Sequence, residues 1–227
     1  MVWTVIKNAL FNTMDAWELI AGDVLICHKK TRFSLIRAAI KGCTASEYSH
    51  AAISLGQGKI LDAVKPKVRI SKGIDFFDEY DHVAIFRRND FWDKERQTQL
   101  NLYANKLVEE SREYSAIGAA KAYFERNKEQ SPKLHKFIQY LEENNTNDKE
   151  QFFCSQLVVQ CFIEVGIIDQ EAGEYSTSLN PKLVYPVDLS KDSVFGYHYK
   201  YIKFKREYDV PDDDEFTNID KYKDIYK

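Results

Sequence analysis

Apolar residues recur along the chain in two periods, and the alternation between these periods outlines the elements. Trp3, Ile6 and Leu10 fall at helical spacing, so a short helix or arm is expected over residues 1–20. Gly22-Asp23 opens a strand, VLICH, and Phe33, Ile36 and Ile40 share one side of a helix predicted over 31–40. The clearest β signal follows. HAAISL (50–55) and ILDAV (60–64) flank Gly56-Gln57-Gly58-Lys59, which reads as a hairpin with a glycine-bearing turn. After a loop, KGIDFFDEYD, the run HVAIFRR (82–88) continues an antiparallel sheet.

The period then changes. Leu100, Tyr103 and Leu107 recur at i, i+3 and i+7, so 93–112 predicts an amphipathic helix. A second helical stretch covers 115–126, and a third starts at Ser131-Pro132 with Phe137, Ile138 and Leu141 as its apolar side. NNTNDKEQ (144–151) is a polar break before FFCSQLVVQCFIEVGI, a strong helix pattern that ends at Gly166, a natural C-terminal cap. Beyond a loop containing Pro181 and Pro186, YHYKYIKFK (197–205) alternates like a last strand. The organisation expected is one α+β domain over 1–205 with a helical insertion at about 91–150. A tail over 206–227, acidic and then mixed in charge, reads as solvated.

Composition narrows the function. With 227 residues, 44% of them hydrophobic, the chain suits one domain with its own core, which excludes disordered and fibrous classes. A net charge of −3 supplies no general attraction to nucleic acid or anionic lipid. No segment approaches the roughly 20 apolar residues of a membrane-spanning helix. Lys7, Asp15 and Glu18 interrupt the first segment, so no secretory signal is read and a reducing, cytoplasmic location is expected. Cys27, Cys43, Cys154 and Cys161 form no CxxC pair, which argues against a zinc ribbon or a thioredoxin-type site. No metal or organic cofactor is indicated.

Cys154 is the most informative residue for chemistry. It starts a helix whose stripe is Leu157, Val158, Cys161, Phe162 and Val165, where unpaired N–H groups and the positive end of the helix dipole favour thiolate. The same N–H groups could hold the oxyanion of an acyl intermediate. Position alone leaves a second reading open, a buried cysteine packed as a small hydrophobe. Cys161, inside the stripe, reads as core. A nucleophilic cysteine needs a base, and the base needs an orienting acceptor. Among His28, His50, His82, His135 and His198, His50 stands at a strand mouth after Glu47-Tyr48-Ser49. His82 also begins a strand, but with no acidic residue at a matching place on a paired neighbour. If the turn makes Leu55 and Ile60 close to partners across the strands, Asp62 falls beside or diagonal to His50. A one-residue slip would separate them onto opposite faces, and periodicity does not choose the register.

Taken together, GDVLICHK, EYSHAAISLGQGKILDAVKP, REYSAIGAA and FFCSQLVVQCFIEVGI resemble the circularly permuted branch of the NlpC-type cysteine hydrolases, which have papain-like folds. That branch runs Gly-Asp, Ser-His on a strand, an acidic residue on the next strand, then a late aromatic-Cys-Ser-x-Leu-Val helix. Gly22-Asp23, Ser49-His50, Asp62 and Phe153 to Val158 follow this order over roughly residues 20–190. The resemblance implies a papain-like α+β fold, an antiparallel sheet packed on the helix that carries the cysteine. It also implies Cys154 as nucleophile, His50 as general base and Asp62 as orienting acid. Many relatives carry Glu at the place of Asp62 and Tyr at the place of Phe153. Tyr48 is then a candidate donor near the oxyanion, Lys65 a candidate partner of a substrate carboxylate, and Ser155 a further substrate-side residue.

The activity so implied is hydrolysis of an amide bond through a thioester, in a cell-wall-type (peptidoglycan) or other small peptide. Two alternatives remain at this stage. One is an acyl-directed transferase or esterase of the lecithin:retinol acyltransferase-like kind, with Phe91, Trp92, Tyr103, Tyr123, Phe124 and Phe137 walling an apolar groove. The other is a binding module without catalysis.

Overall fold

The fold is taken from a computed structural model that describes residues 13–28, 46–115, 152–168, 179–203 and 208–217. The helices expected over 31–40 and 131–143 lie outside the described residues, as do Cys43, His135 and all of the helix expected over 115–126 except Ser115.

A six-stranded sheet organises the chain. Its strands are β1 (Ala21–His28), β2 (Tyr48–Gly56), β3 (Lys59–Val64), β4 (Lys67–Lys72), β5 (His82–Arg87) and β6 (Tyr197–Lys203). They lie in the order β4-β3-β2-β1-β5-β6, with every neighbouring pair antiparallel. The helices are α1 (Gly73–Phe77), α2 (Lys94–Glu109), α3 (Cys154–Glu164) and α4 (Pro186–Leu189).

Both faces of the sheet are covered, which is why its central strands read as nearly continuous apolar runs. On one face Val24, Ile26, Ile53, Leu61 and Ala84 pack with Leu100, Tyr103 and Leu107 of α2 and with Leu157, Val158, Cys161 and Phe162 of α3. On the other, Leu25, Cys27, Ala52, Ile60, Val83 and Ile85 pack with Phe76 and Phe77 of α1, Tyr80, and Met14 and Leu19. The alternation along each strand sorts its side chains between these layers.

Several sequence expectations meet a different outcome. The short helix or arm expected over 1–20 has its apolar residues Trp3, Ile6 and Leu10 outside the described residues; within 13–20 the chain forms a bridge from Thr13 to Tyr201 and a 3₁₀ turn at Ala16–Glu18. KVRISK forms the edge strand β4, which the pattern analysis passed over. Val68 and Ile70 face the α2/α3 layer, and Lys67, Arg69 and Lys72 blunt the edge against further pairing. The expected loop KGIDFFDEYD contains α1 because Phe76 and Phe77 need a common buried side. The tail differs most. Residues 208–217 do not stand off in solvent: Phe216 is buried against Tyr48 and Phe86, and Asp214 accepts from the hydroxyls of Tyr48 and Tyr201.

The β2–β3 hairpin sets the site. Gln57 and Gly58 between its strands both have positive φ (53° and 69°), as a two-residue type I′ turn requires. Ser54 pairs with Ile60 and Gly56 with Lys59, so Leu55 is the extra residue of a bulge. Leu55 and Ile60 are thus close to partners, one residue from an exact pairing. The observed register pairs Ala52 with Asp62, so Asp62 is diagonal to His50 and on the same face, the placement expected of the hairpin; an exact Leu55–Ile60 pairing would have turned it away.

Candidate active site

Helix α3 begins without a polar cap. Its N-cap is Phe153, which offers no side-chain acceptor, so the first-turn N–H groups stay available. Cys154 occupies the first helical position and is 4% exposed. Its Sγ accepts from the backbone N–H of Ser155 in its own helix and from that of Ala51 in β2. The β2–β3 register ends at the Ala52–Asp62 pair, and Ala51 is one residue further along β2. The other end of α3 is closed by a Schellman motif. Gly166 (φ 69°) donates to the carbonyl of Ile163, and Ile167 donates to that of Phe162.

His50 is hydrogen-bonded to Cys154 and, through Nε2, to Oδ2 of Asp62 at 3.3 Å. Its ring stacks on Tyr80 with a centroid separation of 5.8 Å and an interplanar angle of 7°, and Phe76 lies at its edge. These contacts leave the imidazole little rotational freedom. Asp62 is fully buried yet ionised, since its other contacts come from the guanidinium of Arg69 on β4: Nε to Oδ1 at 3.0 Å and Nη2 to Oδ2 at 3.2 Å. Arg69 in turn donates to Glu79 at 2.7 Å.

The electrostatics follow from this order of charges. Burial opposes the imidazolium, but the thiolate of Cys154 and the carboxylate of Asp62 outweigh it and raise the pKa of His50 to about 9. Burial likewise opposes the thiolate. The charge and hydrogen bond of His50, followed by the N–H groups of Ala51 and Ser155, hold Cys154 below the ordinary thiol range. Asp62 is pushed up by burial and pulled down further by His50 and Arg69, so it stays below the usual carboxylate range. The arrangement stabilises a thiolate–imidazolium pair.

Cys154, His50 and Asp62 therefore meet in space. The three candidates for substrate contact do not join them in the expected way. The hydroxyl of Tyr48 is engaged 2.9 Å from both carboxylate oxygens of Asp214 and 3.0 Å from Nε2 of His82, so it is no oxyanion donor. Ser155 turns its hydroxyl to the carbonyl of Val184 at 2.7 Å, and only its backbone N–H reaches the sulfur. Lys65 is exposed in the β3–β4 turn, where it lines an open cleft of about 380 Å³ with Lys67, Glu113 and Tyr114. Gly22-Asp23 serves the scaffold. Asp23 forks with Arg87 at 2.7 and 2.6 Å, and a Cβ at Gly22 would lie 2.0 Å from the ring of Trp92.

Sequence reasoning missed Arg69, Tyr80 and the N–H of Ala51. The alternation of KVRISK would have placed Arg69 opposite Asp62 once β4 was recognised as a strand. It also missed the acid that serves His82, because Asp214 comes from the C-terminal segment and not from a paired strand. Cys27 and Cys161 are buried in the core. Phe91, Trp92 and Tyr103 pack in the core instead of walling a groove; Tyr123, Phe124 and Phe137 lie outside the described residues. Among the described residues, no group of three or more His, Cys, Asp and Glu is placed to hold a metal ion, and no helix is long and apolar enough to cross a membrane.

No protein-family model matches the chain, and no curated protein matches it significantly. Among solved structures it is similar to the metalloprotein yiiX from Escherichia coli O157:H7, with 14% identity and a TM-score of 0.46 over 86% of this chain and 96% of that one.

Proposed function

We propose that this chain is a cysteine hydrolase of the permuted, papain-like kind that cleaves an amide bond in a small peptide or acyl amide. The observation that supports the reading is the buried contact of Cys154 with His50 at an uncapped helix start, with Asp62 behind the imidazole. In the reaction the sulfur attacks the carbonyl carbon. The C–N bond breaks as His50 gives its proton to the leaving amine, and a thioester remains. His50, now neutral, takes a proton from water; hydroxide adds to the thioester, the C–S bond breaks, and thiolate and imidazolium are restored. First-turn N–H groups of α3, left without a side-chain cap, would receive the carbonyl oxygen as it gains charge.

The test is the rate of Cys154 alkylation by iodoacetamide at pH 6, followed by peptide mass in wild type, His50→Ala and Cys154→Ser. The wild type is expected to react much faster than a free thiol, whose thiolate fraction at that pH is below about 1%. His50→Ala is expected to fall to the free-thiol rate or lower, and Cys154→Ser to lose the labelled peptide. An ordinary wild-type rate, or one that His50→Ala leaves unchanged, removes the mechanism.

A further inference from the structure

Asp62 sits between two cations, and the second has no part in the chemistry proposed above. Arg69 grips both carboxylate oxygens from the neighbouring strand, directly across from Asp62 in the ladder. A guanidinium fork of this kind fixes the plane of a carboxylate as well as its place, which a point charge would not do. Asp62 has no exposed surface, so water does not compete for its lone pairs. Glu79 takes up the outer side of the guanidinium at 2.7 Å and is about as exposed as Arg69 itself, 35% for each side chain. The result is an ordered row of charges running from the sulfur to the surface: Cys154, His50, Asp62, Arg69, Glu79.

We propose that Arg69 is a positioning residue of this site, fixing Asp62 beneath His50 and limiting how much of the carboxylate's charge the imidazole receives. The inference rests on the hydrolase reading. The groups facing His50 are Cys154 from α3, Asp62 from β3, the ring of Tyr80 beyond α1, and Cys27, its Cα partner on β1. Arg69 and Glu79 act on it through Asp62. Removing the Arg69 cation leaves Asp62 to His50 alone, so the imidazolium should persist to higher pH. Removing Glu79 should do the reverse, because Arg69 then draws more strongly on Asp62.

Alkylation of Cys154 by iodoacetate reads this directly. The anionic reagent favours a thiolate with an imidazolium beside it, so its rate against pH forms a bell whose alkaline limb reports loss of the imidazolium proton. Relative to wild type, Arg69→Gln is expected to move that limb up by about half a pH unit or more. Arg69→Lys keeps the charge that the limb reads, though not the fork that fixes the carboxylate's plane, so it should hold the limb nearer to wild type than Arg69→Gln does. Glu79→Gln, at a part-exposed side chain, should move it down, and this keeps the test decisive if Arg69→Gln does not fold. An alkaline limb that stays in place in both Gln variants, or that moves alike in Arg69→Gln and Arg69→Lys, overturns the inference alone. A wild type with no bell overturns the thiolate–imidazolium reading and the inference with it.

Discussion

At Cys154 two effects of similar kind oppose each other. A buried sulfur loses hydration and would rather stay protonated, while one imidazolium and two backbone N–H groups reward the thiolate. The second set wins because thiolate and imidazolium hold each other in their charged forms and Asp62 adds to the hold on His50, so the carboxylate acts on the sulfur through the ring. Asp62→Asn should therefore lower the alkaline limb of the iodoacetate bell by about a unit or more relative to wild type. The sign is opposite to that expected for Arg69→Gln, and a limb that stays in place in Asp62→Asn would show that the carboxylate does not stabilise the imidazolium. Cys154 and His50 were legible as candidates because one starts a helical stripe and the other a strand. Arg69 was not, because an arginine among lysines near a proline reads as ordinary solvated surface until its strand is known.

At the scale of elements, α3 is asymmetric in a way that suits the proposed chemistry. Its C-terminal end is satisfied by backbone geometry at Gly166, whereas its N-terminal end lacks a polar cap and directs a donor at sulfur. The two ends can be separated experimentally. Gly166→Ala places a Cβ at a φ of 69° and should cost roughly 1–2 kcal/mol in urea unfolding, with no change in the alkylation rate of Cys154. A slower rate would mean that the whole helix shifts when its C-terminal end is disturbed. The helix and its glycine stop were readable from the 3.6-residue period, and β1, β2, β3 and β5 from their apolar runs. The hairpin register was not. A bulge at Leu55 adds one residue that leaves no mark in the pattern, yet it decides which face Asp62 occupies.

Over the whole molecule, the least legible feature is the return of the C-terminal segment, since an acidic tail has the composition of solvated chain. What holds it is a pocket assembled from distant strands. Tyr48 of β2, His82 of β5 and Tyr201 of β6 converge on Asp214, Tyr208 contacts the other ring nitrogen of His82, and Phe216 fills the core between Tyr48 and Phe86. Burial pushes Asp214 up, but His82, the Tyr201 hydroxyl and the N–H of Phe216 outweigh it and bring its pKa down to about 2. A carboxylate whose pKa falls on folding contributes stability that is whole above its unfolded value, 3.8, and is lost as the pH falls toward 2. Asp214→Asn should thus be less stable than wild type by roughly 1–3 kcal/mol at neutral pH, the usual cost of disturbing a buried acceptor. That deficit should narrow between pH 3.8 and 2, where the wild type gives up the same interaction. Urea midpoints of both proteins across pH 2 to 7 measure the difference. A deficit that stays constant through the acid window would show that Asp214 anchors the segment by shape and not by charge. Phe216→Ala separates the apolar share, with an expected cost of about 3–5 kcal/mol that does not vary with pH. Tyr48 lies two residues from His50 on the same strand, so a loosened segment is expected to reach the site as well. Alkylation of Cys154 in Phe216→Ala should slow if that strand end moves, and should match wild type if the bulged hairpin alone holds His50 in place.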